Sequence, residues 1–443
     1  MLKTFPYGGI HPVENKITST KDIHKAPVPD VVYVPVSQHI GVPSEIVVEL
    51  RDKVEIGQVI AKSGGYVSSN IHSPVVGTVT KLDKVVDSKG YKSQCVVIKT
   101  DKKNESNYED VTYPLKTEIE MSPEDILTRI TEYGIVGLGG ATFPTHVKLN
   151  VNEDNKLDHL IINGVECEPY LTADHRLMLE RAEEIIVGIN ILLHALGIEK
   201  AIIGIENNKI NAISNFEYLT KDDPRVSVAA LKVKYPQGSE KQLISAILDR
   251  EVPKNGLPRD AGVLVHNVGT IYAIYQAVQH NLPLTQRVVT VTGKKLKDPA
   301  NYWVKIGTPI KALIEEVGGI PQGTRKILNG GPMMGRAVKS LDVPVTKACS
   351  GIVIISDDEV HRGKELNCIR CAECVFVCPM GLEPHLLMNL TEKRLWERAC
   401  DEDIMTCLEC GSCSYVCPSY RPLLDYIRFG KELTKQFSNK DNN

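Results

Sequence analysis

The sequence predicts a multidomain protein of the α/β class. A length of 443 residues corresponds to about three domains of roughly 150 residues each. Between residues 125 and 280, strand-like and helix-like segments alternate, which is typical of a largely parallel sheet covered by helices. Short β-rich runs precede and follow this region, and a cysteine-rich segment lies near the end of the chain. We therefore expect smaller domains on both sides of a central α/β domain.

The composition excludes two classes of protein. Hydrophobic residues make up 42% and charged residues 24% of the chain, which is ordinary for a globular protein and argues against a disordered one. The 52 Lys and Arg residues are balanced by 55 Asp and Glu residues, and aromatic residues make up only 5%. Neither a basic surface nor a base-stacking platform for nucleic acids is expected.

The start of the chain has no apolar segment of the kind found in signal peptides, because Pro6 and Gly8 follow Phe5 closely. No run reaches the roughly 18 apolar residues of a membrane span. The best candidate, residues 185–196, is short and contains Asn190 and His194. We expect a soluble, cytosolic protein that associates with a membrane only through a partner.

An irregular segment and a small β domain are predicted before residue 101. Residues 1–30 contain Gly8-Gly9 and Pro27-Val28-Pro29, which interrupt regular structure. Residues 31–100 contain short β-rich runs separated by turns such as Ser63-Gly64-Gly65. The predicted strands include 31–34, 45–49 and 77–80.

A polar stretch at 101–120 is typical of a linker, and the central domain is predicted at 121–284. Its first helix should start at Ser122-Pro123-Glu124-Asp125, with Ser as N-cap, Pro at the first position and acids in the first turn. Later helices are predicted at 181–196 (closed by Gly197), 239–248 and 270–279. The predicted strands are 159–162, 200–205, 229–233 and 262–266.

A second β-rich module is predicted at 285–350. Residues 288–293 suggest a strand and turn, and residues 310–317 suggest a short helix that ends at Gly318-Gly319. Residues 358–435 contain two cysteine runs, and the polar tail at 438–443 is expected to fray.

Eight of the twelve cysteines form two runs with the same spacing, Cys-x2-Cys-x2-Cys-x3-Cys-Pro, starting at residues 368 and 407. This is the spacing of bacterial two-cluster ferredoxins, in which the fourth cysteine of each run ligates the other cluster. We therefore predict two [4Fe–4S] clusters. Their ligands are Cys368, Cys371, Cys374 and Cys417 for one cluster, and Cys407, Cys410, Cys413 and Cys378 for the other.

Two structural zinc sites are the alternative, although zinc sites usually use pairs of CxxC motifs and lack the x3-Cys-Pro ending. In a cytosolic chain, clustered cysteines favour metal binding over disulfides. The remaining four cysteines have no partner at a recognisable spacing, and each is expected to be a buried, unreactive thiol. They are Cys95, Cys167, Cys349 and Cys400.

A glycine-rich loop, GIVGLGGATFPT at 134–145, precedes Lys148. Glycines let backbone N–H groups approach a phosphate or a flat ring, and Lys148 could supply a positive charge for a phosphate. The pattern is neither the Walker motif nor a strict G-x-G-x-x-G. Taken alone, it is explained equally well by a structural turn.

Polar loops at the ends of the predicted strands strengthen the case for a ligand site. Parallel sheets bind ligands beyond the carboxyl ends of their strands. The four loops begin at Asn163, Glu206, Tyr235 and Asn267. Gly238-Ser239 opens a helix whose N-terminus favours a phosphate, and Asn amides can hydrogen-bond to a flavin. Solvated turns are the alternative for each loop taken singly.

A pair of clusters requires a redox donor or acceptor, and a flavin is the natural choice. It exchanges a hydride with nicotinamide and single electrons with iron–sulfur centres. The strand-end loops are therefore candidates for a flavin pocket.

Several segments resemble the C subunit of the Rnf complex, a membrane-bound, ion-translocating ferredoxin:NAD oxidoreductase. The segments are FPYGGIHPVENK at 5–16, GIVGLGGATFPTHVK at 134–148, NGVECEP at 163–169 and the two cysteine runs. The resemblance spans essentially the whole chain. The central part is also similar to the flavin subunit of respiratory complex I, whose glycine loop and acidic segment hold FMN and NADH.

The resemblance implies a domain for each predicted region. It implies a barrel-sandwich hybrid similar to lipoyl domains at 31–100, and an FMN- and NADH-binding domain at 121–284. It also implies a β-grasp module of the soluble-ligand-binding type at 285–350 and a helical two-cluster ferredoxin domain at 358–435. Because residues 71–74 contain no Lys, lipoylation is not expected.

The resemblance also implies cofactor-binding residues. Those that would contact FMN or the nucleotide are Gly137, Gly139, Gly140 and Lys148. Those that would complete the flavin pocket are Asn163, Glu166, Gly238, Glu240, Lys241 and Asn267. Glu168 and Phe143 would face the nicotinamide side. Leu138 stands where the complex I loop has a basic residue, so phosphate contacts there would come from the backbone alone. Residues 238–241 also carry one acid fewer than the complex I segment, which leaves the NADH pose open.

The implied reaction moves single electrons from reduced ferredoxin, through a partner subunit, into the two clusters. FMN would collect two electrons and pass a hydride to NAD+, and the reaction could run backward. Ion translocation would belong to integral membrane subunits, with this chain bound peripherally at the cytoplasmic face of the bacterial membrane. No nucleic-acid partner is expected, and no His is assigned a catalytic role.

Other functions remain open at this point. A cobalamin reductase of diol-degrading bacterial compartments has a similar build but reduces a corrinoid, although the opening at 8–12 favours the Rnf interpretation. A flavin-free protein that only holds clusters is a second alternative. A nucleic-acid-binding metal protein is a distant third, disfavoured by the net charge of −3.

Overall fold

The structure is a computed structural model that describes residues 2–87, 90–102, 113–150, 157–254, 256–360 and 363–440, with side chains described to residue 435. These residues form four β-sheets and thirteen α-helices. The part of the predicted linker at 103–112 and the tail at 441–443 lie outside the described residues.

The first strand, β1 (Ile23–Lys25), lies in the segment that the sequence predicts to be irregular. A small domain of two antiparallel sheets follows, with strand orders β2-β8-β7-β4 and β3-β5-β6. Its strands are β2 (Val31–Pro35), β3 (Glu45–Ile46), β4 (Lys53–Val54), β5 (Val59–Lys62), β6 (Ile71–His72), β7 (Gly77–Val86) and β8 (Lys92–Thr100). Both sheets contribute branched apolar side chains, such as Val32, Ile60 and Ile98, to one core.

The central domain is built on a four-stranded sheet that is parallel throughout, as predicted, in the order β11-β10-β9-β12. Its strands are β9 (His159–Asn163), β10 (Ala201–Glu206), β11 (Val226–Leu231) and β12 (Val263–Asn267). Its helices are α1 (Pro123–Glu132), α2 (Thr145–Leu149), α3 (Ala173–Glu180), α4 (Ala182–Leu196), α5 (Ile210–Thr220), α6 (Glu240–Leu248) and α7 (Val268–His280).

Local capping signals predict two of these helices correctly. The Ser122 hydroxyl accepts a hydrogen bond from the Asp125 N–H at the start of α1. Gly197 ends α4 in the left-handed conformation, with φ of 62°. The prediction for β11 was wrong by three residues at its start, and helices α2, α3 and α5 were not predicted.

A six-stranded sheet forms the third domain, in the order β1-β14-β13-β17-β15-β16. Its further elements are β13 (Gln286–Thr292), β14 (Ala300–Lys305), α8 (Ile310–Glu316), β15 (Thr324–Asn329), β16 (Arg336–Ala337) and β17 (Gly351–Ser356). Strand β17, which follows the predicted 285–350 span in the sequence, lies between β13 and β15. Strand β1, which precedes that span, belongs to the same sheet. Strand β1 pairs in parallel with β14 at the opposite edge.

The C-terminal region is helical. It comprises α9 (Glu373–Phe376), α10 (Pro384–Glu392), α11 (Trp396–Asp401), α12 (Ser412–Val416) and α13 (Leu423–Lys440). Helices α9 and α12 occupy equivalent places in the two cysteine runs, so the sequence repeat is also a structural one. Leu387, Leu390 and Ile427 form the centre of its core. Among the described residues, no helix is both long and apolar enough to cross a membrane.

Candidate functional site

The eight cysteines of the two runs line two cavities in the C-terminal region. The outer cavity, of about 140 Å³, is lined by Cys368, Cys371, Cys374 and Cys417. The inner cavity, of about 20 Å³, is lined by Cys378, Cys407, Cys410 and Cys413. Each cavity therefore gathers three cysteines from one run and the last cysteine of the other.

The two cavities differ in exposure. Cys368 and Cys371 of the outer cavity are exposed, whereas Cys410 and Cys413 of the inner cavity are buried. Burial raises the pKa of the inner-cavity thiol Cys407 to about 11. An inner cluster would thus be shielded from water, which is one of the factors that set cluster potentials.

Backbone groups around the inner cavity suit cysteine sulfurs that carry negative charge. The Leu382 N–H donates to Cys378 Sγ at 3.4 Å, and the Glu409 N–H donates to Cys407 Sγ at 3.3 Å. Hydrogen bonds of this kind favour the thiolate form that binds iron. Within the described part of the chain, no three His, Cys, Asp or Glu side chains converge closely enough to hold a single metal ion.

The glycine-rich loop connects α1 to α2 at the carboxyl edge of the central sheet. It closes on itself, because the Gly137 N–H donates to the Phe143 carbonyl at 2.9 Å. A Cβ atom at Gly139 would lie 3.3 Å from Cβ of Asn267, so this glycine packs closely against the end of β12. Gly140, with φ of 113°, faces open space, and its backbone can therefore approach a ligand.

Lys148 joins two of the strand-end loops. Its ammonium group forms an ion pair with Glu240 at the start of α6 and also donates to the Val265 carbonyl in β12. Asn163, at the end of β9, donates through Nδ2 to the Gly238 carbonyl at 2.8 Å. The structure thus brings together Lys148, Asn163, Gly238 and Glu240. These four residues and the loop residues Gly137–Gly140 are called the strand-end site below.

Glu166 stabilises the start of helix α3. Its carboxylate accepts hydrogen bonds from the N–H groups of Asp174 and His175, at 2.8 and 3.1 Å, and so caps α3. Asn267 caps α7 through Gly269 and donates to the Asp174 carboxylate at 2.7 Å. Glu166 and Asn267 are therefore linked through Asp174, which was not predicted as a site residue.

Asp174 is a titratable group close to the predicted pocket. Burial, followed by the neighbouring Glu166 carboxylate, raises the pKa of Asp174 to about 7. A signal was present in the sequence, since Asp174 is an acid at the start of a helix shortly after the NGVECEP segment.

Two predicted cofactor residues have partners elsewhere. The half-buried Glu168 carboxylate accepts from the N–H groups of Met333 and Met334, at 3.1 and 2.7 Å, in a loop of the third domain. Lys241 donates to the carbonyls of Pro253 and Lys254, at 3.0 and 3.1 Å. Neither side chain is hydrogen-bonded to the strand-end site, because each has a closer backbone partner. Phe143 is half-buried within the glycine loop.

A half-buried lysine, Lys16, organises the NGVECEP segment and was not predicted. The Lys16 ammonium donates to the carbonyls of Glu166, Glu168 and Leu171, at 2.7, 2.9 and 2.7 Å. Burial is the main cause that lowers the pKa of Lys16, and the nearby Lys209 adds to it. Only the resemblance of residues 5–16 to a known family pointed to this segment.

The four unpaired cysteines divide into two groups. Cys95 and Cys349 are buried, as predicted, and burial raises the pKa of Cys349 to about 11. Cys167 and Cys400 are only partly buried, so the prediction of full burial was wrong for them. Cys167 lies beside the strand-end site, since a Cβ atom at Gly238 would be 3.3 Å from its sulfur.

The chemistry of the strand-end site fits a flavin phosphate and ring. It offers a lysine ammonium, the N-terminus of α6, an open glycine backbone and an asparagine amide. Among the described residues, the buried Nε2 atoms of Gln237 and His266 next to this site have no hydrogen-bond partner. Buried polar atoms are usually satisfied, so a polar ligand is a natural partner for them.

Three family models match separate parts of the chain. Residues 3–103 match the RnfC barrel sandwich hybrid domain, residues 130–276 match the Nuo51 FMN-binding domain, and residues 288–337 match the SLBB domain. The N-terminal and central parts of the predicted architecture are thereby confirmed at the level of the domain type.

Relatives of known description are similar over nearly the full length. The C subunit of the proton-translocating ferredoxin:NAD+ oxidoreductase complex of Clostridium ljungdahlii is 46% identical over 433 residues, covering 97% of this chain and 94% of that protein. The C subunit of the Na+-translocating complex of Acetobacterium woodii is 41% identical, covering 96% of each chain. The C subunit of the ion-translocating oxidoreductase complex of Rhodobacter capsulatus is 41% identical, covering 98% of this chain and 84% of the other.

The fold also resembles solved structures of NAD+-reducing [NiFe]-hydrogenase. In the H2-reduced state the TM-score is 0.50 at 17% identity, over 72% of this chain. The air-oxidised state gives the same TM-score at 18% identity. This chain spans 63% of the hydrogenase chain in each case, and the likeness indicates a shared fold.

Proposed function

This chain belongs to the C-subunit family of the Rnf-type ion-translocating ferredoxin:NAD+ oxidoreductases, and from that premise we propose that it is the FMN-, NADH- and iron–sulfur-binding electron-transfer subunit of such a complex. The observation that carries the proposal is that one chain combines the strand-end site, in a matched FMN-binding domain, with two four-cysteine cavities in its C-terminal region. FMN, when bound, exchanges a hydride with nicotinamide and single electrons with iron–sulfur clusters.

The strand-end site provides groups for the flavin phosphate and ring. We assign the phosphate to Lys148 and to the N-terminus of α6 at Glu240, where a negative charge is stabilised by the helix dipole. The backbone of Gly137, Gly139 and Gly140 would lie along the flavin, and Gly140 leaves the most room for it, since a Cβ atom there would meet nothing within 4 Å. Asn163 and Asn267 would orient the ring through their amide groups, although each also has a protein partner.

Asp174 can hold a proton at its carboxylate near neutral pH, because burial and Glu166 raise its pKa to about 7. A group of this kind beside a redox site can balance the charge of incoming electrons by taking up or releasing a proton. Phe143 and Glu168 stay proposals for the nicotinamide side, and the backbone partners of Glu168 make its role there an indirect one.

We propose that each four-cysteine cavity holds one [4Fe–4S] cluster, with the crossed ligand sets that the sequence predicts. The support is the donor set itself, four thiols around each cavity, and the N–H groups directed at two of the inner sulfurs. The inner cavity is the smaller of the two. Zinc at these positions would contradict this assignment.

The proposed partners are integral membrane subunits and a ferredoxin-like cluster subunit that receives electrons from reduced ferredoxin. The relatives are named as subunits of ion-translocating complexes. We propose that this chain lies peripherally at the cytoplasmic face of the membrane. The match to an FMN-binding domain disfavours the flavin-free alternative, and the names of the relatives do not favour the cobalamin reductase.

Anaerobic reconstitution of the full chain with iron, sulfide and FMN tests the proposal. We expect about eight iron atoms per chain, because two [4Fe–4S] clusters carry four each. We further expect one FMN per chain and bleaching of the flavin absorbance by NADH. Full iron without FMN would favour a cluster scaffold, and bound FMN that NADH does not bleach would contradict the dehydrogenase role.

A further inference from the structure

We propose that a cavity between the central and third domains is a binding site for a small aromatic carboxylate, and that its occupant weakens FMN binding through Arg287. This cavity is called the junction cavity below. Of the strand-end site it includes Leu138, within the described part of the chain. The effect on FMN rests on the proposed function, whereas the binding of the carboxylate does not.

The junction cavity lies where α7 meets the sheet of the third domain, and its volume is about 190 Å³. It is lined by Tyr272 and Ala273 of α7, Arg287 of β13 and Trp303 of β14. Gln286 also lines it and is exposed, so a small molecule can enter from the solvent. An apolar cavity of about 150 Å³ accommodates benzene. The junction cavity therefore has room for a single ring that carries a carboxylate.

Arg287 makes this cavity attractive to an anion. The residue is only 4% exposed, and its partners among the described residues are three backbone carbonyls, those of Leu138, Val288 and Lys347. An arginine side chain has five N–H groups, so two of them are left for a further acceptor. A buried guanidinium whose partners are all neutral is stabilised by an anion, and a carboxylate matches its planar fork.

The charges around the cavity also favour an anion. Lys25 and Lys305 contribute to its lining together with Arg287, and Asp174 is the only acid among the described lining residues. Burial and the Glu166 carboxylate raise the pKa of Asp174 to about 7, so part of this group is uncharged near neutral pH. The lining therefore carries more positive than negative charge.

Two aromatic side chains give the cavity a preference for a flat ligand. The ring centroids of Tyr272 and Trp303 lie 5.5 Å apart, and their planes are inclined by 40°. The Tyr272 hydroxyl accepts from Gln276 Nε2 at 3.0 Å, which fixes the orientation of its ring. Aromatic rings attract a further ring in stacked or edge-to-face arrangements. A benzoate-like anion thus satisfies both the guanidinium and the rings.

Arg287 connects the junction cavity to the glycine loop. The N–H of Leu138 in this loop donates to Thr270 Oγ1 at 2.9 Å, and its carbonyl accepts from Arg287 Nη2 at 3.2 Å. A carboxylate bound to the free N–H groups draws the guanidinium towards the cavity, because a charged acceptor binds more strongly than a carbonyl. The glycine loop then loses one of these two anchors. FMN and the carboxylate therefore weaken each other's binding by the same factor.

Calorimetric titration of the reconstituted full chain with benzoate tests the site. The comparison ligands are benzamide, which has the ring without the charge, and cyclohexanecarboxylate, which has the charge without the flat ring. We expect one benzoate site per chain, and binding of both analogues about tenfold weaker, since each lacks one of the two interactions. Equal affinities for benzoate and benzamide, or no binding of benzoate, would overturn the proposal.

Tryptophan fluorescence locates the bound molecule. The chain has two tryptophans, so in Trp396→Phe all tryptophan emission comes from Trp303 in the cavity wall. Benzoate should change this emission with the affinity that calorimetry gives. Calorimetric binding without any change in Trp303 emission would place benzoate elsewhere and would contradict the proposed site.

Ala273→Met fills the junction cavity without removing a charge. We expect at least tenfold weaker benzoate binding, with the iron and FMN contents of the parent chain. The control is Ala312→Met on the surface of α8, which should bind benzoate as the parent chain does. Parent affinity in Ala273→Met would overturn the site. Lys148→Met should also keep the parent affinity for benzoate, and a loss of binding there would mean that benzoate occupies the strand-end site.

The connection to the flavin is tested by FMN titration of the deflavinated chain with and without saturating benzoate. We expect a several-fold weaker FMN affinity with benzoate, and a smaller effect in Arg287→Lys, which keeps the charge but loses the fork. An FMN affinity that benzoate leaves unchanged would overturn the connection. A chain that binds benzoate but no FMN would contradict the proposed function and would leave the carboxylate site supported.

Discussion

At the scale of single residues, Lys148 is the side chain on which the flavin assignment depends most. Its ammonium contacts Glu240 and the Val265 carbonyl, so it is already held where a phosphate would lie against the start of α6. We predict that Lys148→Met weakens FMN binding about tenfold to a hundredfold, because a hydrogen bond to a charged group contributes roughly 1.5–3 kcal/mol. Titration of the deflavinated chain with FMN, followed by flavin fluorescence, measures the effect.

The control for this prediction is Lys311→Met, which removes a lysine charge from the surface helix α8. Its FMN affinity should equal that of the parent chain. An unchanged FMN affinity in Lys148→Met would remove Lys148 from the binding site and would shift the phosphate to the backbone of the glycine loop.

Cys417 distinguishes crossed ligation from two independent cysteine runs. It belongs to the second run but lines the outer cavity. We predict that Cys417→Ala loses about half of the iron, since one of two equal clusters is affected, and that it loses the same electron paramagnetic resonance signal as Cys371→Ala. Loss of the signal that disappears in Cys410→Ala would contradict the crossed assignment.

The sequence also allowed some site residues to be predicted and not others. Asn163, Gly238 and Glu240 were predicted to lie near one another because the ends of parallel strands meet at one edge of a sheet, whereas Lys148 was placed beside them by the family resemblance of the glycine loop. The partners of Glu168 could not be predicted, since its carboxylate meets Met333 and Met334, which are more than 160 residues away in the chain. Contacts of this kind depend on how the domains pack, which local patterns do not encode.

At the scale of elements, helices with local signals were predicted and helices stabilised from a distance were not. Helix α1 has its own Ser122 cap and α4 its own terminal glycine. Helix α3 receives no cap from its own Thr172 and is capped instead by Glu166. Strand β11 starts three residues earlier than predicted for a similar reason. The apolar run begins at Val226, and pairing with the neighbouring β10 decides where the strand starts.

Lys347 links three elements and gives the chain a predicted pH dependence. Its buried ammonium donates to the Asn70 carbonyl at 3.0 Å and to the Gly134 carbonyl at 2.7 Å, and so joins the β domain, the glycine loop and the third domain. Burial lowers its pKa from 10.5 to about 7. Between pH 7 and pH 10.5, Lys347 is therefore protonated in the unfolded chain and neutral in the folded chain.

Lys347 should therefore make the folded state more stable as the pH rises from 7 towards 10.5, and this gain is lost as the pH falls back to 7. We predict that the unfolding midpoint of Lys347→Met depends less steeply on pH in this window than that of the parent chain. Urea titrations at several pH values measure the slope, with Lys311→Met as the exposed-lysine control. Equal slopes in the parent chain and Lys347→Met would show that Lys347 is charged in the folded state.

At the scale of the whole molecule, the N-terminal segment connects the cofactor-binding regions. The Gly9 N–H donates to the Val377 carbonyl at 2.9 Å, beside the last cysteine of the first run. Ile10 pairs with Tyr235, and Lys16 holds the NGVECEP segment through three carbonyls. The segment that looked irregular in the sequence thus contacts, in succession, the residue before Cys378, the loop of Tyr235 and the NGVECEP segment.

Gly8 packs closely against the backbone of Cys378, which lines the inner cavity. It has φ of 66°, and a Cβ atom there would lie 2.7 Å from the carbonyl carbon and oxygen of Cys378. Gly381 has the same φ of 66° on the other side of Cys378, but a Cβ atom there would meet nothing within 4 Å.

Both alanine substitutions carry a backbone cost of about 1 kcal/mol, and only Gly8→Ala adds an overlap that costs roughly 1–3 kcal/mol more. We predict that Gly8→Ala lowers the thermal midpoint further and releases iron to a chelator faster than Gly381→Ala, with the inner cluster lost first. Equal rates of iron release in the two variants would mean that the N-terminal segment does not hold the inner cavity in place, and that the cluster region keeps its position through its contacts with Tyr235 and α6 alone.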